Sequence, residues 1–308
     1  MQFKRIKRAV SGVLLLDKAH GISSNTALQQ VKRLFQAEKA GHTGNLDPIA
    51  TGLLPVCFGE ATKFSHYLLD ASKCYQARFI LGATTTTGDI EGEVLSQKPV
   101  TVSLDDVQQV LKRFVGHIQQ TPPMYSALKH QGKALYTYAR AGVEIPREPR
   151  GVTIYSLTLD EFSGNELSVT VHCSKGTYIR VLGEDIGAAL GCGAYMAALR
   201  RTATGSFDLS GAISLSQLEQ MTPEQRDASL LPASCLLAGL PKVTLDGESA
   251  YYLQQGQPVW QAGQSGTGAV SLYGPGSVFL GLGEITAEGK IAPRRLVLTA
   301  KNLKPSSP

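Results

Sequence analysis

The residues with reactive chemistry are concentrated in residues 41–55, which read GHTGNLDPIATGLLP. This segment contains a single acid, Asp47, and a proline restricts the backbone directly after it. Gly44 and Gly52 allow tight turns or the close approach of a ligand, and His42 lies five residues before the acid. A carboxylate on such a loop can act in catalysis, or it can form an Asx turn or a helix cap. The residue types alone leave both interpretations open.

Basic and aromatic side chains are interleaved in residues 124–150, where only Glu144 and Glu148 are acidic. These side chains are Tyr125, Lys129, Lys133, Tyr136, Tyr138, Arg140, Arg147 and Arg150. The mixture suits RNA or another single-stranded nucleic acid, because cations bind phosphates and aromatic rings stack on bases. A second basic cluster is formed by Lys4, Arg5, Lys7 and Arg8. The net charge of +5 is modest for 308 residues, so a solvated, slightly basic surface remains an alternative.

The cysteines indicate no metal or redox centre. They are Cys57, Cys74, Cys173, Cys192 and Cys235. No two of them lie within four residues of each other, so the chain has no CxxC pair that could bind zinc or exchange electrons. We expect reduced thiols in apolar surroundings and no structural metal.

Length and composition indicate a soluble protein of about two domains. The chain has 308 residues, 43% of them hydrophobic, which is too apolar for a disordered protein. The strongly apolar run at residues 13–16 is far shorter than the roughly 20 residues that span a bilayer. The basic N-terminus is not followed by the apolar stretch of a signal peptide. We therefore expect a cytoplasmic protein.

The elements around Asp47 can be predicted from spacing. Residues 13–16 predict a buried strand, and a helix should follow, capped by Ser24 or Asn25, because apolar residues then recur at helical spacing. Residues 41–59 are rich in glycine and proline, which predicts no long regular element. From Cys74 to Leu81, apolar and polar residues alternate, as expected for a half-buried strand.

Further along, acids at the start of a helical pattern predict a helix that Ser103 opens. Residues 152–159 and 167–173 predict a pair of strands joined by a turn at 163–165. After about residue 240, short glycine-rich strands at 269–272, 278–282 and 295–299 follow a helix near 247–255, and they predict a small β-barrel with a disordered tail. Because helices and strands do not alternate strictly, we expect an α+β fold.

Residues 41–55 as a whole resemble the catalytic loop of the TruB family of tRNA pseudouridine synthases, whose motif has the form H-x-G-x-L-D-P-x-A-x-G-x-L-P. Every fixed letter is present: His42, Gly44, Leu46, Asp47, Pro48, Ala50, Gly52, Leu54 and Pro55. Other family-like segments follow in order: GVLLLDKAHGISSN (12–25), GEATKFSHYL (59–68), KCY (73–75), SKGTYIRVLGEDIG (174–187), GAYMAALRRTATGSF (193–207), GLGEI (281–285) and APRRLV (292–297). The resemblance covers nearly all of residues 12–300. Asn45 and Ala19 depart from the usual family residues, and we expect neither to abolish activity.

The resemblance implies a pseudouridine synthase fold with a mixed or antiparallel sheet, followed by a PUA-like β-barrel. Residues 1–240 would form the catalytic domain, with an RNA-clamping insertion at about 124–150, and residues 241–308 the RNA-binding domain with its tail. It implies isomerisation of uridine to pseudouridine in the T-loop of tRNA, at position 55. This reaction changes no oxidation state and loses no group, so we expect neither a cofactor nor a metal.

The resemblance also assigns the catalytic residues. Asp47 would be the essential carboxylate, which can attack C1′ of the ribose, attack the base, or remove a ribose proton; the sequence does not decide among these. Arg180 would pair with Asp47 and keep it ionised. Tyr75 would stack on the uracil and act in proton transfer at C5. Without the resemblance, Arg180 could be a surface residue and Tyr75 a core residue.

The remaining site residues would bind the substrate. His42 would fill the space left by the flipped base, or else be an ordinary loop histidine. Tyr178 and Leu199 would line the uracil pocket. Contacts with phosphate, or bracing of the site, are implied for Lys18 and Lys63, which could equally be surface lysines. Arg294 and Arg295 would contact RNA further away.

Two alternatives compete with a self-sufficient tRNA-modifying enzyme. One is a non-catalytic module that binds and folds tRNA. The other is a guide-RNA-dependent synthase that works within a larger complex, although the sequence has no obvious extension for such an assembly. We expect a monomer that needs no protein partner and does not bind a membrane.

Overall fold

The structure is a computed structural model that describes residues 7–298, apart from 262, 264 and 265. Numbered in chain order, its strands are β1 (Gly12–Lys18), β2 (Ala40–His42), β3 (Ala50–Phe58), β4 (Lys73–Leu81), β5 (Ala83–Thr85), β6 (Val94–Gln97), β7 (Gly116–Gln120), β8 (Lys129–His130), β9 (Lys133–Ala134), β10 (Arg150–Ser163), β11 (Glu166–Cys173), β12 (Ala194–Thr204), β13 (Phe207–Asp208), β14 (Ile213–Ser214), β15 (Lys242–Thr244), β16 (Val259–Trp260), β17 (Gly268–Tyr273), β18 (Phe279–Ile285) and β19 (Lys290–Leu296). The α-helices are α1 (Ser24–Leu34), α2 (His66–Leu69), α3 (Leu104–Arg113), α4 (Leu135–Arg140), α5 (Ile179–Ala189), α6 (Leu215–Gln220), α7 (Pro223–Ala228) and α8 (Gly247–Gln254).

The larger sheet of the described residues has ten strands. Its main path runs β14-β1-β3-β12-β4-β11-β10-β7, with β2 beside β3 and β13 beside β12. The β1–β14 and β3–β12 pairs are parallel, and the remaining pairs are antiparallel. The expected α+β fold with a mixed sheet is therefore confirmed. The predicted strands at 13–16, 74–81, 152–159 and 167–173 lie within β1, β4, β10 and β11.

The two faces of this sheet belong to different hydrophobic cores. Because successive side chains of a strand point to opposite faces, Leu14 and Leu16 of β1 belong to the core that also contains buried residues of α1, α3 and α5. Val13 and Leu15 point the other way and share a core with strands β17 and β18. The back of β1 and β3 thus belongs to the same core as the second sheet, which contains β17 and β18.

The start of α1 differs from the prediction. The N-cap is Ser23, whose side chain accepts a hydrogen bond from the Thr26 amide, rather than Ser24 or Asn25. Ser24 is buried and instead exchanges hydrogen bonds with the backbone of Leu46, at 3.0 Å to its carbonyl and 2.7 Å to its amide. The serine that looks like a cap therefore fixes the residue before Asp47. At α3, the predicted Ser103 cap is confirmed, with a capping box to Asp106.

The prediction that residues 41–59 contain no long regular element is wrong, because β3 spans nine of them. Pro55 is tolerated in this central strand for a geometric reason. Its carbonyl accepts from the Thr43 amide, so its nitrogen faces the same side, away from β1. On that side β12 pairs with residues 50–52 and β2 with residues 56–58. Pro55 lies between these two ladders, so its missing N–H removes no strand hydrogen bond.

The second sheet has the strand order β15-β17-β18-β19-β16. The predicted helix near 247–255 is observed as α8, and the strands predicted at 269–272 and 278–282 correspond to β17 and β18. The strand predicted at 295–299 begins earlier, at Lys290, because the proline at 293 sits at a register shift and does not end the strand. The predicted boundary at 240 falls just before β15 and remains a prediction.

Lys4 and Arg5 of the basic N-terminal cluster, Thr299 and the tail predicted to be disordered lie outside the described residues. Among those that are described, no helix is long and apolar enough to cross a membrane.

Candidate active site

Asp47 lies on the loop between β2 and β3, at the edge where β12 joins the sheet. The loop begins at Gly44 and leads into Gly52, with φ angles of 119° and 98° that favour glycine. Gly52 is also packed closely, because a Cβ atom there would lie 2.3 Å from the Arg201 carbonyl oxygen. The close packing of Gly52 therefore holds the start of β3 against β12.

We predict that Gly52→Ala destabilises the fold by roughly 2–4 kcal/mol, since it combines a strained φ with a clash against backbone. Urea unfolding followed by circular dichroism measures the loss. Gly239→Ala is the matched control, because its Cβ meets nothing within 4 Å and its φ is not positive. Equal stability of the two variants would contradict the packing argument.

Arg180, in the first turn of α5, joins two carboxylates. Its Nη2 lies 3.1 Å from Oδ2 of Asp47, and its Nη1 lies 3.4 Å from Oδ2 of Asp89. It also donates to the Thr87 carbonyl at 3.2 Å and to the Tyr125 carbonyl at 2.6 Å. The guanidinium is therefore fixed from several sides, and the pair that the resemblance implied is present in the geometry.

Asp89 was missed by the sequence analysis. It is 3% exposed, and its Oδ1 accepts from the Thr87 hydroxyl at 2.6 Å and from the Glu91 amide at 3.1 Å. The available signal was one of three acids in the polar segment TTTTGDIEGE. That pattern equally describes a solvated turn, so nothing local revealed that the carboxylate is buried against Arg180.

The Asp47 carboxylate is enclosed by protein but reachable, with 43% of its side chain exposed. Desolvation raises its pKa above the ordinary value, and the positive charges of Arg180 and Lys18 oppose this rise while Asp89 adds to it. One side of the carboxylate is held by Arg180, and the other is open to a substrate.

Lys18, at the end of β1, braces the loop from inside. It is 1% exposed, and its Nζ donates to the carbonyls of Ala19 at 2.9 Å, Ile22 at 2.7 Å and Pro48 at 3.5 Å. Burial lowers the pKa of its ammonium to about 8, against the attraction of Asp47. With its donors so occupied, Lys18 fits the bracing role among those considered, and not a phosphate contact.

Tyr75 and Leu199 form the apolar floor of the site. Tyr75 of β4 is 9% exposed, and desolvation raises the pKa of its phenol. Leu199 of β12 is equally buried and pairs with Ala50 on one side and Ala77 on the other. Both side chains belong to the core beside the Asp47 loop.

Tyr178 is the N-cap residue of α5, two positions before Arg180. Its backbone is held by the side chain of Gln120, whose Oε1 accepts from the Tyr178 amide at 2.9 Å and whose Nε2 donates to its carbonyl at 3.2 Å. Gln120 is buried at the end of β7, where the insertion begins. The insertion also supplies the Tyr125 carbonyl to Arg180. The root of the insertion is therefore part of the site, although the residue pattern predicted only RNA contacts for the insertion.

His42 ends β2, half-buried beside the same loop. Desolvation lowers the pKa of its imidazole, so the ring is held neutral at physiological pH. A neutral imidazole can enter a base stack without carrying a charge into it.

The other predicted RNA-binding residues lie elsewhere. Lys63 donates to the Leu296 carbonyl at 2.9 Å and pairs with Glu60 at 2.7 Å, so it ties the segment after β3 to β19. Arg294 is 60% exposed and pairs with Glu284, and Arg295 is exposed on the same strand. The structure does not bring these three to Asp47.

The insertion itself is a small folded unit built from β8, β9 and α4. Arg140 stacks over the Tyr136 ring, with 5.5 Å between its guanidinium carbon and the ring centroid. Arg147 donates to the carbonyls of Ile145 and Pro122 and pairs with Glu144.

Among the described residues, no group of three or more His, Cys, Asp or Glu side chains is placed to hold a metal.

Family profiles match most of the chain. Residues 32–179 match the profile described as TruB family pseudouridylate synthase (N terminal domain). Residues 180–238 match tRNA pseudouridylate synthase B C-terminal domain, and residues 241–297 match Pseudouridine synthase II TruB, C-terminal.

Individual proteins match over their whole length. A protein named tRNA pseudouridine synthase B from Methylobacillus flagellatus is 60% identical over 300 residues, which are 97% of this chain and 99% of the relative. One of the same name from Nitrosospira multiformis is 53% identical over 308 residues, covering 96% and 98%.

Solved structures match the fold. A chain in a Cbf5-Nop10-Gar1 complex has a TM-score of 0.70 and 29% identity, covering 93% of this chain and 84% of its own. A chain in an H/ACA RNP bound to a substrate RNA containing 2′-deoxyuridine has a TM-score of 0.71 and 25% identity, covering 96% and 87%.

Proposed function

The chain belongs to the TruB family of pseudouridine synthases, and from that premise we propose that it isomerises uridine to pseudouridine in the T-loop of tRNA, at position 55, with Asp47 as the essential residue. The observation that carries the proposal is the Asp47–Arg180 pair, at 3.1 Å, on a loop that leaves 43% of the Asp47 side chain open. A reachable carboxylate beside a guanidinium that favours its ionised form can act as a nucleophile or a base.

The reaction breaks the bond between N1 of uracil and C1′ of ribose and forms a bond between C5 and C1′. The C5 proton is lost and N1 gains a proton, so no electrons enter or leave overall. Asp47 can serve in three ways: by attacking C1′, by attacking the base, or by removing a ribose proton. Each requires the ionised carboxylate, which Arg180 favours.

The target uridine must leave its stack, which costs a few kcal/mol. We assign the neutral His42 to the space that the base leaves. We assign Tyr75, Leu199 and Tyr178 to the walls around the uracil, and the Tyr75 phenol to proton transfer at C5. Lys18 holds the loop, as its three carbonyl contacts indicate.

The wider RNA contacts are assigned to two regions. The basic insertion at about 124–150 would clamp the T-arm, and the PUA-like domain, residues 241–308, would contact RNA further away through Arg294 and Arg295. The catalytic domain is placed at residues 1–240. Lys63, bonded at the domain junction, is assigned to bracing. We propose a cytoplasmic monomer that modifies tRNA without a protein partner.

The test is to incubate the purified protein, without added cofactor or metal, with an unmodified tRNA transcript carrying tritium at C5 of uridine. Release of tritium reports loss of the C5 proton, and mapping of the product gives the position. We expect release from the T-loop uridine by the isolated protein.

Two other results would overturn this. Binding of tRNA without release would favour the non-catalytic module. Release only after addition of a guide RNA and partner proteins would favour an assembly such as the H/ACA RNP named in the structural match.

A further inference from the structure

Arg201, on β12, is a charged residue that has no part in the catalysis or RNA binding proposed above. It is 1% exposed and is among the largest fully buried side chains. In the part of the chain that the structure describes, no carboxylate lies within 4.0 Å of its guanidinium, whereas Arg180 has two. A buried charge without a counter-charge is costly, so its presence at a site calls for an explanation.

Arg201 donates one hydrogen bond to the Asp47 loop and one to β3, the strand that follows it. Its Nε donates to the Leu53 carbonyl at 2.7 Å, and its Nη1 donates to the Asn45 carbonyl at 3.3 Å. These two carbonyls lie on either side of Asp47, so one planar guanidinium spans both ends of the loop. The fork geometry of arginine suits this two-point attachment, because its Nε and Nη1 donors are held apart in one rigid plane.

Arg201 lies on the same face of the sheet as Tyr75, one of the residues assigned to the uracil. In strand register it pairs with Gly52 on one side and Tyr75 on the other. Its Nη2 is buried and has no hydrogen-bond partner within residues 7–298, the internal gaps excepted. Two further buried ammonium groups, Lys18 and Lys73, lie close enough for Arg201 to lower their pKa values. The wall behind Tyr75 is therefore electropositive.

We propose that Arg201 is a positioning residue of the isomerisation: it fixes both ends of the Asp47 loop, and its unpaired buried charge stabilises the negative charge on the uracil once the bond to ribose is broken. The inference rests on the proposed function. When N1 leaves C1′, the bonding electron pair stays on the ring, and a fixed positive charge nearby lowers the energy of that state. A preorganised charge needs no rearrangement at that moment, which justifies its burial without a partner.

The neighbouring Arg200 provides a matched control. It lies on the opposite face of the same strand, is 38% exposed, and forms a two-point ion pair with Asp17 at 2.7 and 3.1 Å. The experiment compares Arg201→Lys, Arg201→Gln and Arg200→Gln with the wild type. Single-turnover tritium release at saturating protein gives the rate, and filter binding gives the Kd for tRNA.

We expect Arg201→Gln to slow release about 100-fold or more, because both loop geometry and charge are lost. Arg201→Lys should fall between Gln and wild type, since it keeps the charge but not the fork. The Kd should stay within about threefold for all variants, and Arg200→Gln should release at nearly the wild-type rate. Equal rates for Lys and Gln would overturn the charge role, and wild-type rates for both would overturn the proposal entirely.

If Arg201→Gln does not fold, the proposal is tested with Arg201→Lys, whose release rate is measured together with the hydrogen exchange of residues 45–53. A slower rate with faster exchange in that loop supports the proposal, and a wild-type rate overturns it. Failure of the wild type to release tritium would instead contradict the proposed function, so the two failures are distinct.

Discussion

Asp47→Asn is expected to abolish tritium release from tRNA, by at least about 10⁴-fold, while the Kd for tRNA stays within about threefold of the wild type. Asparagine keeps the shape of the side chain but is neutral and is neither a nucleophile nor a base. The loop should keep its place, because it is held by Ser24, Lys18 and Arg201 through backbone atoms. Binding should persist, because removing a negative charge does not weaken attraction to a polyanion.

Asp47→Ala should behave in the same way, and Asp160→Asn is the control. Asp160 is exposed on β10, where it accepts from the Thr170 hydroxyl, away from the loop. Release by Asp47→Asn above about 1% of the wild-type rate would show that the carboxylate is not essential. Loss of binding together with activity would mean that Asp47 serves the fold or RNA binding, as the non-catalytic alternative requires.

Much of the framework was predictable because its signals are local. Alternating residues in β4 and the capping box of α3 are set by neighbours a few positions apart, and the structure contains both. The Asp47 loop was identified by its motif, and the family resemblance predicted the pairing of Arg180 with Asp47. The residue types of the loop alone did not show whether Asp47 is a catalytic carboxylate or part of a turn or helix cap.

The elements that were missed depend on partners distant in the chain. A proline such as Pro55 usually indicates that a segment is not a central strand. Only the positions of β2 and β12 show that its missing N–H removes no hydrogen bond between strands. Gln120 and Arg201 bond to backbone carbonyls and amides, which have no residue type to recognise in a sequence. Asp89 is revealed only by the burial of Arg180 beside it.

Arg180→Met is expected to lower the single-turnover rate at neutral pH by roughly 10³-fold and to move the acid limb of its pH profile to higher pH. Activity requires ionised Asp47, whose pKa burial already raises. Arg180 is the largest charge opposing that rise, so its removal raises the pKa further. A smaller fraction of Asp47 is then ionised at any given pH, and raising the pH should restore part of the rate.

Asp89→Asn should shift the acid limb of the pH profile in the opposite direction from Arg180→Met. The negative charge of Asp89 raises the pKa of Asp47, so its removal lowers that pKa and moves the acid limb to lower pH. The maximal rate should still fall, because Arg180 loses one of its two carboxylate anchors. A role in folding alone predicts lower yield or stability for both variants, but it does not predict limbs that move in opposite directions.

The measurement is single-turnover tritium release from about pH 5 to pH 9, with Arg200→Met as the control for loss of an arginine from the domain. Its ion pair is with Asp17, so its profile should overlay that of the wild type. If Arg180→Met also overlays the wild type after scaling, the Asp47 pKa does not govern the acid limb, and Arg180 acts by geometry alone. Arg180→Lys separates the effect of charge from the effect of geometry. The variant keeps the positive charge but loses the four contacts of the guanidinium. It should therefore release tritium slowly, while the acid limb of its pH profile stays where it is in the wild type.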